Sequence, residues 1–76
     1  MTTITRTFGK YEVRVSKDYK INIYYVWSNN EKELFQSNMT IWDAQSMMCE
    51  VYLNGNEKAI NEARNFFEEL SAEYSF

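Results

Sequence analysis

Apolar and polar residues alternate along the first half of this chain and recur at helical spacing along its last quarter. Tyr11, Val13 and Val15 alternate with Glu12, Arg14 and Ser16, the period of two that marks a half-buried strand. Ile4, Arg6 and Phe8 carry the same phase backward, so residues 3–16 read as one long strand bent at a Gly9 bulge. After a turn at Lys17–Lys20, the run Ile21, Ile23, Tyr25, Trp27 predicts a strand over residues 20–27. Ser28–Glu31 supplies the next turn. Phe35, Ser37, Met39 and Ile41 then predict a strand over 34–42.

Residues 43–53 fit two periods. At period 2, Met47, Cys49, Val51 and Leu53 share a face and give a fourth strand over 46–53. At period 3.6, Ile41, Ala44, Met48 and Val51 form a stripe behind a Thr40–Asp43 variant of the capping box. The strand reading leaves the cleaner apolar face and is the expectation. The last segment has one reading. Ala59, Ile60, Ala63, Phe66, Phe67, Leu70 and Tyr74 face inward, and Glu57, Lys58, Glu62, Asn65, Glu68, Glu69 and Glu73 face outward. This predicts an amphipathic helix over 56–74, with Asn54 or Asn56 as its N-cap.

The elements sum to a small two-layer α+β domain spanning 1–76: an antiparallel meander of three or four strands with one C-terminal amphipathic helix on one face. The alternative order is βββαα. Thirteen aromatic rings, 6 Tyr, 5 Phe and 2 Trp, supply apolar area that a 76-residue chain otherwise lacks. A single helix about 10–12 Å across covers only part of a four-stranded sheet. On these phases the open sheet face carries Tyr24, Trp42, Met48 and Tyr52, a surface suited to a homodimer or a second contact.

Charge is sorted along the chain. Residues 1–30 carry a net +3 and residues 31–76 a net −6. Glu68, Glu69 and Glu73 stand toward the C-terminal end of the last helix, where the macrodipole disfavours negative charge. A chain pI near 4.8 leaves little phosphate-neutralising charge, so nucleic acid is a minor expectation, resting on Tyr24, Trp42 and Tyr52 as stacking platforms beside Arg14.

The residues that are missing exclude whole classes of chemistry. Without histidine, the commonest general base and metal ligand is gone, and two separate glycines make no phosphate-cradling loop. The lone Cys49 has neither a disulfide partner nor a histidine to activate it, and reads as a core thiol. No catalytic, cofactor or metal residues are expected. No leader-like or membrane-spanning run is visible, so a cytoplasmic setting is expected.

Residues 51–63 resemble the strand-to-helix passage of small α+β domains, KH-type ones among them, but lack the Gly-x-x-Gly loop with which such a domain clamps a nucleic acid. In general character the chain resembles the small acidic accessory proteins of phages and mobile elements. That resemblance implies an inhibitor of a host or defence protein. The expected function is therefore non-enzymatic protein binding, with Glu62, Glu68, Glu69 and Glu73 meeting a basic surface and Tyr24, Trp42, Met48 and Tyr52 as further contacts.

Overall fold

The computed structural model describes residues 3–74. Strands β1 (Ile4–Phe8), β2 (Tyr11–Val15), β3 (Ile21–Val26) and β4 (Lys32–Met39) pair in chain order as an antiparallel meander. Helix α1 (Ile41–Ser46) runs into a π-helical segment, Met47–Tyr52, and α2 (Glu57–Tyr74) closes the fold. The α+β class, the antiparallel sheet and the C-terminal helix stand as the sequence implies. Two assignments do not.

Residues 3–16 are a hairpin rather than one bent strand. Phe8 pairs with Tyr11 across a two-residue loop, Gly9–Lys10, with Gly9 at φ +59°. A glycine at the first loop position suits a two-residue hairpin turn, because a side chain there is strained at positive φ. Packing imposes a second requirement on Gly9. A Cβ at this position would lie 3.3 Å from Leu53 Cδ2 and 3.4 Å from Asn56 Nδ2. The hairpin turn thus abuts the loop that leads into α2.

Residues 46–53 are helical rather than a strand, and the preceding strand ends at Met39. Thr40 sits in extended conformation and its Oγ1 accepts the Asp43 N–H at 3.1 Å, so α1 has a hydroxyl N-cap. Beyond Ser46 the helix widens, and the Leu53 N–H reaches the Met48 carbonyl, five residues back, at 2.8 Å. That extra residue per turn shifts the buried stripe from Ile41, Ala44 and Met48 to Leu53, leaving Val51 exposed. At α2 the Asn56 Oδ1 accepts the Ala59 N–H at 3.2 Å, which settles the N-cap on Asn56.

One sheet face is covered. Val13, Val15, Ile21 and Ile23 lie buried with Ile41, Ala44 and Met48 from the first helical stretch and Ala63, Phe67 and Leu70 from α2. Burying a side chain of the size of Ile23 or Phe67 contributes about 1.5–3 kcal/mol. The α2 helix lies toward β1, because Phe66 and Phe67 pack on Phe8 with ring centroids 5.6 and 6.5 Å apart. The α1–π stretch lies beside α2, with the Cys49 thiol 3.9 Å from the Ile60 carbonyl.

Gly9→Ala is expected to destabilise the fold by about 1–2 kcal/mol in urea denaturation, from left-handed strain plus the crowded Leu53 and Asn56 side chains. Gly55→Ala is the control, since Gly55 has φ +89° but open space around it. Equal losses at the two sites would show that the close approach at Gly9 contributes nothing.

Candidate functional site

The outer surface of α2 presents its carboxylates in two groups. At about 100° per residue, Glu62, Glu69 and Glu73 fall within about 40° of one another, on the flank next to Phe66. Glu68 points about 100° away from Glu69, toward the flank of Arg64. All four are exposed. Phe66 fixes where the first flank lies, for it touches Phe8 and its ring stands 5.8 Å from the Arg6 guanidinium carbon. The stripe of three therefore runs along the β1 side of the molecule. No Lys or Arg pairs with any of the four; among the described residues the ion pairs are those of Glu12 with Arg14 and Lys32. The last turn of α2 holds no basic residue.

The uncovered sheet face is polar. Sheet register places Thr7, Glu12, Tyr24 and Leu34 in one row across it, with Thr5, Arg14 and Asn22 in the next. Glu12 is only 6% exposed although no helix covers it. Its shield is the side chains it binds. Arg14 Nε donates to Oε2 at 2.6 Å and Lys32 Nζ lies 2.9 Å from Oε1. Arg14 also stacks on Tyr24, its guanidinium carbon 4.3 Å from the ring centroid. The Lys32 hydrogen bond, followed by that of Arg14, holds the Glu12 carboxyl below the usual carboxylate range against the opposing effect of burial.

The residues expected to share this face are dispersed. Tyr24 lies on it, under Arg14. Met48 is fully buried in the core, because it belongs to the π segment and faces the sheet. Trp42 is 55% exposed on α1, edge-on to Tyr74 at the far end of the molecule. Tyr52 descends from the π segment onto the covered side, stacked on Tyr11 at 5.0 Å and accepting a hydrogen bond from Gln36 Nε2. Tyr24, Trp42 and Tyr52 therefore form no common stacking platform. Sequence phasing placed Trp42, Met48 and Tyr52 on the open face only because it took residues 34–42 and 46–53 as strands.

An aromatic cluster that the sequence reading missed stands at the turn end of the covered face. Phe35 stacks on Tyr25 at 5.6 Å, Trp27 meets Tyr25 edge-on at 4.8 Å, and Tyr11 and Tyr52 close the group. A break in register makes this arrangement. Tyr24 faces Leu34 and Ile23 faces Gln36, leaving Phe35 as the extra residue of a bulge. Trp27 Nε1 donates to Glu33 at 3.2 Å. Burial, with Tyr25 and Tyr52 nearby, pushes the Tyr11 phenol up. Open hollows of about 490 and 280 Å³ flank the Gly9–Lys10 turn beside these rings, and Lys10 is the charged residue on their walls.

Among the described residues no three His, Cys, Asp or Glu converge as metal ligands. Burial raises the Cys49 thiol, which disfavours its nucleophilic form. No helix of the described residues is long and apolar enough to cross a membrane. Comparison with protein-family models, with curated proteins and with solved structures found no match.

Glu12 makes stability depend on acid. Its carboxyl is lowered in the folded chain, so its contribution is present above the unfolded carboxylate pKa, near 4.3, and is lost as pH falls through the lower folded value. Glu12→Gln is expected to lower stability by about 1–3 kcal/mol at pH 7 and to flatten the acid limb of a pH–stability curve measured by denaturant titration. An acid limb unchanged in the variant would place the pH dependence elsewhere.

Proposed function

We propose that this chain is a non-catalytic protein-binding domain that engages a basic surface through the Glu62, Glu69 and Glu73 stripe of α2. The observation that supports this reading is an aligned, exposed set of carboxylates that make no ion pair among the described residues, two of them toward a helix end where the macrodipole opposes them. A helix selected only for stability favours the opposite sign there. Charges of this kind raise the rate of encounter and exclude wrong partners, while apolar contacts supply most of the affinity. Glu68, on the other flank, is a subsidiary contact. Trp42 and Tyr24 are exposed or half-exposed, and Tyr52 is half-buried; these rings are available to a second contact, whereas Met48 acts through the core.

The narrower reading is a phage- or mobile-element-encoded inhibitor that occludes a basic surface of a host or defence protein. It rests on the general character of a small, acidic, proline-free chain and on no particular side chain.

The triple substitution Glu62→Gln, Glu69→Gln, Glu73→Gln is expected to leave the fold equal or slightly firmer in thermal denaturation and to abolish capture of the partner from native lysate at low salt. Glu68→Gln alone should retain most of the capture. If the triple variant captures the same protein as the parent chain, α2 plays no part in recognition.

A further inference from the structure

The two edges of the sheet differ in a way that selects between them. The β4 edge is broken twice: Phe35 bulges, and farther along Ser37 and Asn38 oppose the single Asn22 between the Ile23–Gln36 and Ile21–Met39 pairs. Asn38 sits at φ +58°, and its N–H is taken by Asn22 Oδ1 at 2.9 Å. Bulges of this kind turn an edge away from further strands. The β1 edge has none of these devices. It pairs with β2 in unbroken register from Ile4–Val15 to Phe8–Tyr11 and carries no proline.

The hairpin also fixes which β1 groups are free. A two-residue loop is closed by a hydrogen-bonded pair, here Phe8 and Tyr11, and such pairs alternate along an antiparallel ladder. Ile4, Arg6 and Phe8 therefore bond to β2, whereas the N–H and C=O groups of Thr5 and Thr7 point outward. The Thr5 carbonyl confirms the phase: it accepts Arg6 Nη1 at 3.0 Å, a side chain standing in for a neighbouring strand. Beside this edge, on the covered side, runs the carboxylate stripe Glu62, Glu69 and Glu73.

We infer that β1 accepts an extended basic segment of the partner as a fifth strand, with Thr5 and Thr7 supplying the backbone hydrogen bonds, the incoming strand replacing Arg6 on the Thr5 carbonyl, and the α2 carboxylates meeting its Lys or Arg side chains. Successive side chains of an added strand point to opposite faces. Those on the α2 side reach the carboxylates past Arg6, whose guanidinium lies over Phe66 on the same side. Those on the other side meet Thr5, Thr7 and a Glu12 already neutralised by Arg14 and Lys32. The occupant is therefore alternately basic and uncharged, a strand addition in which the backbone gives affinity and every second side chain gives specificity. This inference rests on the acidic-face reading of α2.

The probe is a short peptide alternating lysine and valine, titrated into the isotope-labelled full chain while amide exchange is followed. Thr5 and Thr7 amides should become protected. Affinity should fall roughly tenfold with the triple glutamine variant, as three exposed ion pairs are lost. Thr5→Pro should abolish binding while leaving the core amides of Val13 and Ile23 protected, because it removes only an outward-facing donor. Binding that the glutamine variant weakens but that leaves Thr5 and Thr7 unprotected would overturn strand addition and leave the acidic-face reading standing. Binding that the glutamine variant does not weaken would overturn both.

Discussion

A four-stranded sheet is wider than one helix, and the rest of this structure follows from that mismatch. Strands spaced about 4.8 Å apart offer a face nearly 20 Å wide, whereas a helix with its side chains spans about 10–12 Å. With α2 seated toward β1 on Phe8, the β3 side of the apolar face would remain wet. The chain covers it with a second helical stretch, and Ile41, Ala44 and Met48 bury against Ile21 and Ile23. That stretch must also deliver the backbone to the start of α2 beside the β1–β2 turn. The π segment does so by adding one residue to the turn, which brings Leu53 against Gly9 and swings Tyr52 over Tyr11. The glycine hairpin, the widened helix and the aromatic cluster are thus consequences of covering one face.

That same widening explains what the sequence concealed. A pattern of period 3.6 predicts burial of Val51 after Ile41, Ala44 and Met48, yet Val51 is 55% exposed and Leu53 is buried in its place. A π turn breaks the period by one residue, and over so short a stretch the broken period resembles the alternation of a strand. The Thr40 cap was legible, and it was the better guide. The β1–β2 turn carries a signal as well, since Gly-x between two strand-like runs marks a hairpin; a lone glycine inside a continuing alternation equally marks a bulge, and Ile4, Arg6 and Phe8 extend the alternation of Tyr11–Val15, so both readings fit the sequence. By contrast α2 and β3 were readable because their periods run uninterrupted; in α2 the buried residues Ala59, Ala63, Phe67 and Leu70 all fall on the expected apolar face, although Tyr74, expected inward, is 50% exposed.

Of the candidate residues, the placement of those on α2 and of Tyr24 was legible, and that of Trp42, Met48 and Tyr52 was not. A helix residue's outward direction follows from its own spacing alone, so Glu62, Glu69 and Glu73 could be placed together before any tertiary contact was known. The sheet face depended on strands reaching residue 42 and spanning 46–53, and with residues 41–52 helical Trp42, Met48 and Tyr52 left it together. Phe35 joined the aromatic cluster through a bulge, for which the Leu34–Phe35–Gln36 sequence carries no signal such as a glycine.

The division of charge along the chain acquires a physical meaning once the sheet is in place. A face left bare by both helices still has to keep its carboxylate satisfied, and Arg14 and Lys32 do this for Glu12 from neighbouring strands, with Tyr24 supporting the arginine. Two of the chain's cations are thereby engaged on the sheet, and Arg6 is held over Phe66 with its guanidinium on the Thr5 carbonyl. None of them is within ion-pair reach of the α2 stripe. On the bare sheet face the one carboxylate, Glu12, is matched by two cations. The stripe's carboxylates, without an ion pair among the described residues, lie along the junction of α2 and β1, where no strand of the described residues pairs with the outer side of β1. Electrostatic demand and an unpaired strand edge coincide on that side of the molecule, and the proposed docking of a basic strand rests on that coincidence.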